Sequence, residues 1–195
     1  ERAGLWTLCR STIEIRAASP LGTPDEGIDL AVSIGGQPTQ IRTDLDTPVL
    51  IVETETDVTS LLGQACPDLV YPNYQDWGYA QVVLDPKSFA TAGAHLASVE
   101  DVLLRSMLWQ AQYDGLRDGR LGLKAFIETV LLNAPLEPDY TLLGQALGHV
   151  STAKSYLQMF AQGTPYEQLI TERMERMLWD GLQASRADND RARRW

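Results

Sequence analysis

The chain has 195 residues, 44% hydrophobic and 22% charged, enough apolar material for one domain or two small ones. Its 16 Lys and Arg against 26 Asp and Glu give a net charge of −10, and an acidic chain whose cations cluster only at its very end repels phosphate, which argues against a nucleic-acid binder. No apolar run approaches the roughly 18 residues that a membrane-spanning helix needs, which argues against a membrane partner.

The first 85 residues read as strands. Ser11–Ile15 alternates, with Thr12 and Glu14 against Ile13 and Ile15. Leu30-Ala-Val-Ser-Ile34 stops at Gly35-Gly36, a turn signal. Thr47-Pro-Val-Leu-Ile-Val-Glu53 is a β-branched run of the kind buried on both faces. Leu69-Val-Tyr71 and Ala80-Gln-Val-Val-Leu84 are two further candidates. Prolines at 20, 24, 38, 48, 67 and 72 suit edge strands and turns. Short strands without intervening helices predict a small antiparallel β-sandwich over residues 1–85.

Residues 86–195 change to a helical period. Ser98 is a candidate N-cap, with Glu100 and Asp101 complementing the positive end of the helix dipole, ahead of Leu104, Met107, Leu108 and Ala111. A second helix carries Leu123, Phe126, Ile127, Val130 and Leu131. A third, capped by Asp139, carries Leu142, Leu143, Ala146 and Leu147. Ser151 is placed at the start of a fourth, with Tyr156, Leu157 and Phe160. Thr164-Pro-Tyr-Glu167 is a capping box with proline at the first helical position, and it opens a helix bearing Ile170, Met174, Met177 and Leu178. Short links such as Arg117-Asp-Gly-Arg120 and Asn133–Pro138 predict antiparallel neighbours in an α-helical bundle or solenoid, so the fold class is α+β. The closing Arg186, Arg191, Arg193 and Arg194 read as a frayed, solvated helix end.

Residue patterns that carry chemistry are few in this sequence. A zinc site of the HExxH kind needs two histidines one helical turn apart, so that both imidazoles face one metal. The two histidines, His95 and His149, fall in different helices and read as surface or interhelix residues. Ser151-Thr-Ala-Lys154 has the Ser-x-x-Lys spacing of penicillin-recognising enzymes but none of its partner motifs, so Ser151 reads as a helix cap. Cys9 and Cys66 have no metal-type spacing and read as free thiols in a reducing compartment. The chain opens on Glu1 and without a signal-peptide pattern, which points to a cytoplasmic protein and a piece of something longer. No catalytic, metal-binding or substrate-binding residue is assigned.

Two resemblances add to this. Ala3-Gly-Leu-Trp-Thr-Leu8 is similar to the link after the catalytic domain in many bacterial M1-family zinc aminopeptidases (aminopeptidase N-like). Pro67-Asp-Leu-Val70, Pro72-Asn73, Asp76, Tyr79 and Leu84-Asp85 resemble that family's last strands. Glu100-Asp-Val-Leu-Leu-Arg-Ser-Met-Leu-Trp109, Tyr113–Leu121 and Glu137-Pro-Asp139 resemble the helices that follow, while residues 16–60 fit the family's sandwich poorly. The resemblance implies the β-sandwich and helical solenoid that follow the catalytic domain and act as a lid or scaffold over its active site. Zinc is then implied for the parent catalytic domain and no cofactor for this chain. The implied partners are that catalytic domain and peptides, with self-association through helix faces left exposed. Residues 41–57, more weakly, resemble a segment of α/β-hydrolase-domain proteins, in which Asp57 would be the triad acid. A free-standing helical-repeat interaction module and a degenerate hydrolase therefore stay open as alternatives.

Overall fold

The computed structural model describes the backbone of residues 14–17, 29–33, 41–42, 67–76 and 80–195, and side chains over 67–76 and 81–195. Its contacts divide the chain into two units, one of residues 1–92 and 98–111, the other of residues 93–97 and 112–195.

The first unit holds five short strands, β1 (Glu14–Ala17), β2 (Asp29–Ser33), β3 (Ile41–Arg42), β4 (Leu69–Tyr74) and β5 (Ala80–Val83). β1 pairs with β5, and β2 pairs with both β3 and β4, all antiparallel. These ribbons do not make the expected β-sandwich, and the α+β class gives way to a helical bundle preceded by short strands. The burial pattern gives one reason. Sandwich strands alternate inward and outward residues, whereas Leu69–Asn73 of β4 are buried without a break. The far edge of β4 supplies another, because the Val70 amide donates to the Ser88 hydroxyl at 3.0 Å, where a further strand would need it. The pairing itself is irregular: Asp29 faces Tyr74 and Leu30 faces Pro72, leaving Asn73 as an extra residue. Asn73 has φ 63°, a left-handed conformation that asparagine tolerates better than most residues. The expected strand Thr47–Glu53 and both cysteines lie outside the described residues.

Helix α1 (Pro86–His95) follows at once. Its start has a full local cause. The Asp85 carboxylate accepts from the Lys87 and Ser88 amides at 2.9 and 3.1 Å, and Pro86 fills the first helical position, where no amide is needed. A 3₁₀ turn, Leu96–Ser98, leads to α2 (Val102–Arg117). Ser98 is therefore not the cap of α2. Asp101 is, accepting from the Leu104 amide at 3.0 Å. Leu104, Met107, Leu108 and Ala111 are all buried, as their spacing predicts.

The second unit contains α3 (Leu123–Asn133), α4 (Tyr140–Ala161), α5 (Pro165–Ala184) and the short α6 (Asn189–Ala192). α3 packs on α4 and α5, and α4 on α5. The link after α2 closes with Arg120 and Gly119 amides donating to the Gly115 and Leu116 carbonyls, a Schellman arrangement that needs the φ of +70° held by Gly119. Asp139 caps α4 through the Thr141 and Leu142 amides. α4 runs unbroken through Ser151, so the expected third and fourth helices are one. Ala146, Val150, Ala153 and Leu157 continue one buried stripe across the supposed junction, and no proline interrupts it. At α5 the capping box forms in a shifted version. The Thr164 hydroxyl accepts from the Glu167 amide at 3.2 Å, but the Glu167 carboxylate returns to the Gly163 amide, at 2.6 Å.

Candidate functional site

Chemistry-bearing side chains among the described residues fall into three clusters. In the first unit, the Tyr74 hydroxyl donates to Asp101 at 2.5 Å. Burial alone would raise the Asp101 carboxyl, but that hydroxyl and the Leu104 and Leu103 amides outweigh it and hold the carboxyl below its ordinary 3.8. Four residues on, the buried Arg105 guanidinium donates to the Val99 carbonyl, which locks the turn before α2. Asp101 thus serves as a helix cap reinforced by a phenol, an arrangement that orders backbone and leaves no base free to work on a substrate.

In the second unit, His149 of α4 stacks on Tyr113 of α2, with ring centroids 3.9 Å apart and planes 20° apart, and meets Phe126 of α3 edge-on at 6.5 Å. Burial lowers its pKa below 6.5, with Asp114 opposing. The imidazole therefore stays neutral at neutral pH and packs as an aromatic ring. His95 lies exposed in the last turn of α1. No group of three or more His, Cys, Asp and Glu among the described residues is placed to hold a metal. The zinc implied for a parent enzyme does not fit these residues. Ser151 sits exposed in mid-helix with its carbonyl accepting from Ser155, so the cap expected of it is absent too. Asp57 lies outside the described residues.

The third cluster joins α3 to α5. Arg173 meets Glu128 with two hydrogen bonds, and Tyr166 lies in the field of both. Around these helices the surface is apolar in places, with Met159 and Phe160 near the end of α4 and Leu169 and Trp179 on α5 all more than half exposed.

The arginine-rich tail is not frayed. Asp188 caps α6 through the Asp190 and Arg191 amides. Arg191 then donates to the Glu137 and Pro138 carbonyls at 2.6 and 3.3 Å, Arg194 lies over the Tyr140 ring at 4.3 Å, and the Trp195 indole packs against Gly181. Composition suggested only a solvated charge run. The missed signal is Gly181, a glycine inside an otherwise strong helical run, where a nearby backbone or ring must approach closely.

Residues 69–194 match the family described as the ERAP1-like C-terminal domain. A curated relative, "Aminopeptidase N" of Streptomyces lividans, is 30% identical over 140 residues, covering 72% of this chain and 16% of that protein. The chain belongs to the ERAP1-like C-terminal domain family, as an M1 aminopeptidase-like C-terminal region of short strands and a helical bundle without the catalytic core. It spans about one sixth of the length of the relative it matches. No helix among the described residues is long and apolar enough to cross a membrane.

Proposed function

We propose that this chain is the non-catalytic C-terminal region of an M1-like zinc metalloaminopeptidase, serving as lid and scaffold over an active site that the rest of the enzyme supplies. The match of residues 69–194 to a family of such C-terminal domains carries this reading. The sequence itself agrees, because it has no HExxH pair and no other zinc-ligand spacing. The printed name of the relative, an aminopeptidase, supports peptides as the substrate class of the proposed parent. A net charge of −10 suits that role, since an acidic surface attracts the cationic amino terminus of an incoming peptide within about a Debye length, an attraction that weakens as salt rises. We place the protein in the cytoplasm, where Cys9 and Cys66 stay reduced.

The test begins with the coding sequence upstream of Glu1, which should encode HExxH followed by a further glutamate ligand. That parent is then expressed with and without residues 69–195 and assayed on an aminoacyl coumarin amide and on peptides of increasing length. Loss of the region should change the length preference at least tenfold and leave turnover of the small amide within a factor of a few. An unchanged length preference would exclude the lid. An upstream stop codon would exclude the parent.

A further inference from the structure

The four methionines of the chain divide sharply by surroundings. Met107 on α2 and Met174 and Met177 on α5 are buried, at 9%, 2% and 8% exposure, whereas Met159 in the last turn of α4 is 69% exposed. The buried three belong to the packing faces of their helices, where a flexible thioether fills irregular space. Met159 follows Leu157, the last buried residue of the α4 stripe, by two positions, so it stands on the opposite face of the helix. Its chain neighbour Phe160 is also exposed, with its ring 6.3 Å from that of Tyr156.

A thioether reacts with a peroxide without help from a base or a metal, because the sulfur lone pair is the nucleophile. The pair attacks one peroxide oxygen, and the O–O bond breaks as the S–O bond forms. The departing hydroxide takes the proton of the transferred oxygen and leaves as water. The sulfur loses two electrons and the peroxide gains them. Access therefore sets the rate. A close-packed interior admits the oxidant only through local opening, while the Met159 side chain already stands in solvent.

We propose that Met159 is the peroxide-reactive methionine of this chain, and that its reversible conversion to the sulfoxide changes the polarity of the exposed end of α4 while the fold stays intact. Position decides the consequence. A sulfoxide at Met174 or Met177 would place a strongly polar oxygen beside Ile170 in the packed face of α5 and disrupt it. At Met159 the same oxygen is met by water, and the exposed apolar surface becomes polar. This inference goes beyond the lid and scaffold role and does not rest on it.

The test uses the full chain, its thiols capped with N-ethylmaleimide, and hydrogen peroxide as the oxidant. Trypsin separates the methionines, with Met107 on peptide 106–117, Met159 on 155–173 and Met177 on 177–186, so mass spectrometry reads each rate. Met159 should gain its oxygen at least tenfold faster than Met107 or Met177, and the rates should converge in concentrated urea. The singly oxidised chain should keep its helical circular dichroism and urea midpoint and elute earlier from a hydrophobic-interaction column. That shift should be absent from Met159→Leu treated alike. Methionine sulfoxide reductases for both epimers, with dithiothreitol, should restore the original elution. A rate ratio below tenfold, or a preference for Met159 that persists in urea, would overturn the proposal. So would a lowered urea midpoint in the singly oxidised chain, or a sulfoxide that the reductases leave in place.

Discussion

The Arg173 guanidinium grips the Glu128 carboxylate with two hydrogen bonds of 2.5 and 2.8 Å, tying α5 to α3 across a gap of 45 residues in sequence. The paired geometry lowers the Glu128 carboxyl, first through those hydrogen bonds and against the burial that would raise it, and raises the already high Arg173 value.

Both side chains are about two-fifths exposed, 41% for Arg173 and 44% for Glu128, so solvent screens the pair heavily. Arg173→Leu should therefore cost only ~0.5–1 kcal/mol at neutral pH. A carboxyl lowered by folding contributes stability above its unfolded value, near 4.5, and that contribution is lost as pH falls through the lower folded value. The gap between wild type and Arg173→Leu in urea melts should therefore close well below the folded value. A gap that persists there would mean the arginine acts through packing of its stem.

Tyr166 stands beside this pair with its hydroxyl buried and unpartnered. Burial and the Glu128 charge push its pKa up, the direction expected for a phenol held neutral. Tyr166→Phe removes the stranded donor and keeps the ring, so it should stabilise by up to ~1 kcal/mol. A lower melting temperature in this variant would show that the hydroxyl does find a partner in solution.

Asn133, at the end of α3, closes the carboxyl end of α1. Its side-chain amide donates to the Gly93 and Thr129 carbonyls at 2.7 and 2.8 Å, and its carbonyl accepts from the Ala97 amide at 3.0 Å. Three backbone groups depend on one buried side chain. Asn133→Ala should cost ~2–4 kcal/mol, since each orphaned buried group is worth about 1–3 kcal/mol and water will recover part of the loss. Asn133→Asp, which lacks the donors and adds a charge facing two carbonyls, should be worse. Chemical denaturation of both variants checks the order, and an Asp variant as stable as wild type would refute the bonding scheme.

Helix identity was legible in the sequence where cap and apolar period agree. Asp139 and Thr164 open α4 and α5 where predicted, and Phe126, Ile127, Ile170 and Met174 are buried as their spacing required. Errors came where one signal stood alone. Ser98 and Ser151 are good caps by type, but residue type alone does not exclude a 3₁₀ turn or a helix interior, and at Ser151 the continuing stripe of Val150, Ala153 and Leu157 decides. Strand-like runs predicted a sandwich because alternation and proline placement report local extension and say nothing about what covers each face. Recognition depended on the ordered motifs between Pro67 and Asp139, which the family match at 69–194 overlaps. The tail's docking was invisible because Arg191, Arg194 and Trp195 are read by residues far away in sequence.

Gly93 of α1 faces Thr129 of α3 so closely that an added Cβ would come within 2.7 Å of the threonine hydroxyl oxygen. That hydroxyl is itself held by the Ala125 carbonyl at 3.1 Å, so it has little freedom to turn away. Gly93→Ala should destabilise by ~1–3 kcal/mol from overpacking, despite alanine's better helix propensity. Thr129→Ala should relieve most of this, with a coupling of about 1 kcal/mol or more in a double-mutant cycle. Additive effects of the two substitutions would show that α1 does not approach α3 this closely.

His149 supplies a histidine-linked pH dependence. Burial between Tyr113 and Phe126 lowers its pKa below 6.5, and Asp114 of α2 opposes without cancelling the effect. Charged groups beside the stack include that carboxylate and the Arg117 guanidinium, 5.8 Å from the centre of the Tyr113 ring. The unfolded chain takes up the proton first as pH falls, so between the unfolded value and the lower folded one it binds more protons than the native state. Stability is therefore complete above about pH 6.5 and declines as pH falls through the window down to the folded value. His149→Phe keeps a ring against Tyr113 and removes the titration. Its urea midpoint should stay level across that window while the wild-type midpoint drops. Parallel curves for the two proteins would place the imidazole in water and dissolve the cluster as a packing unit.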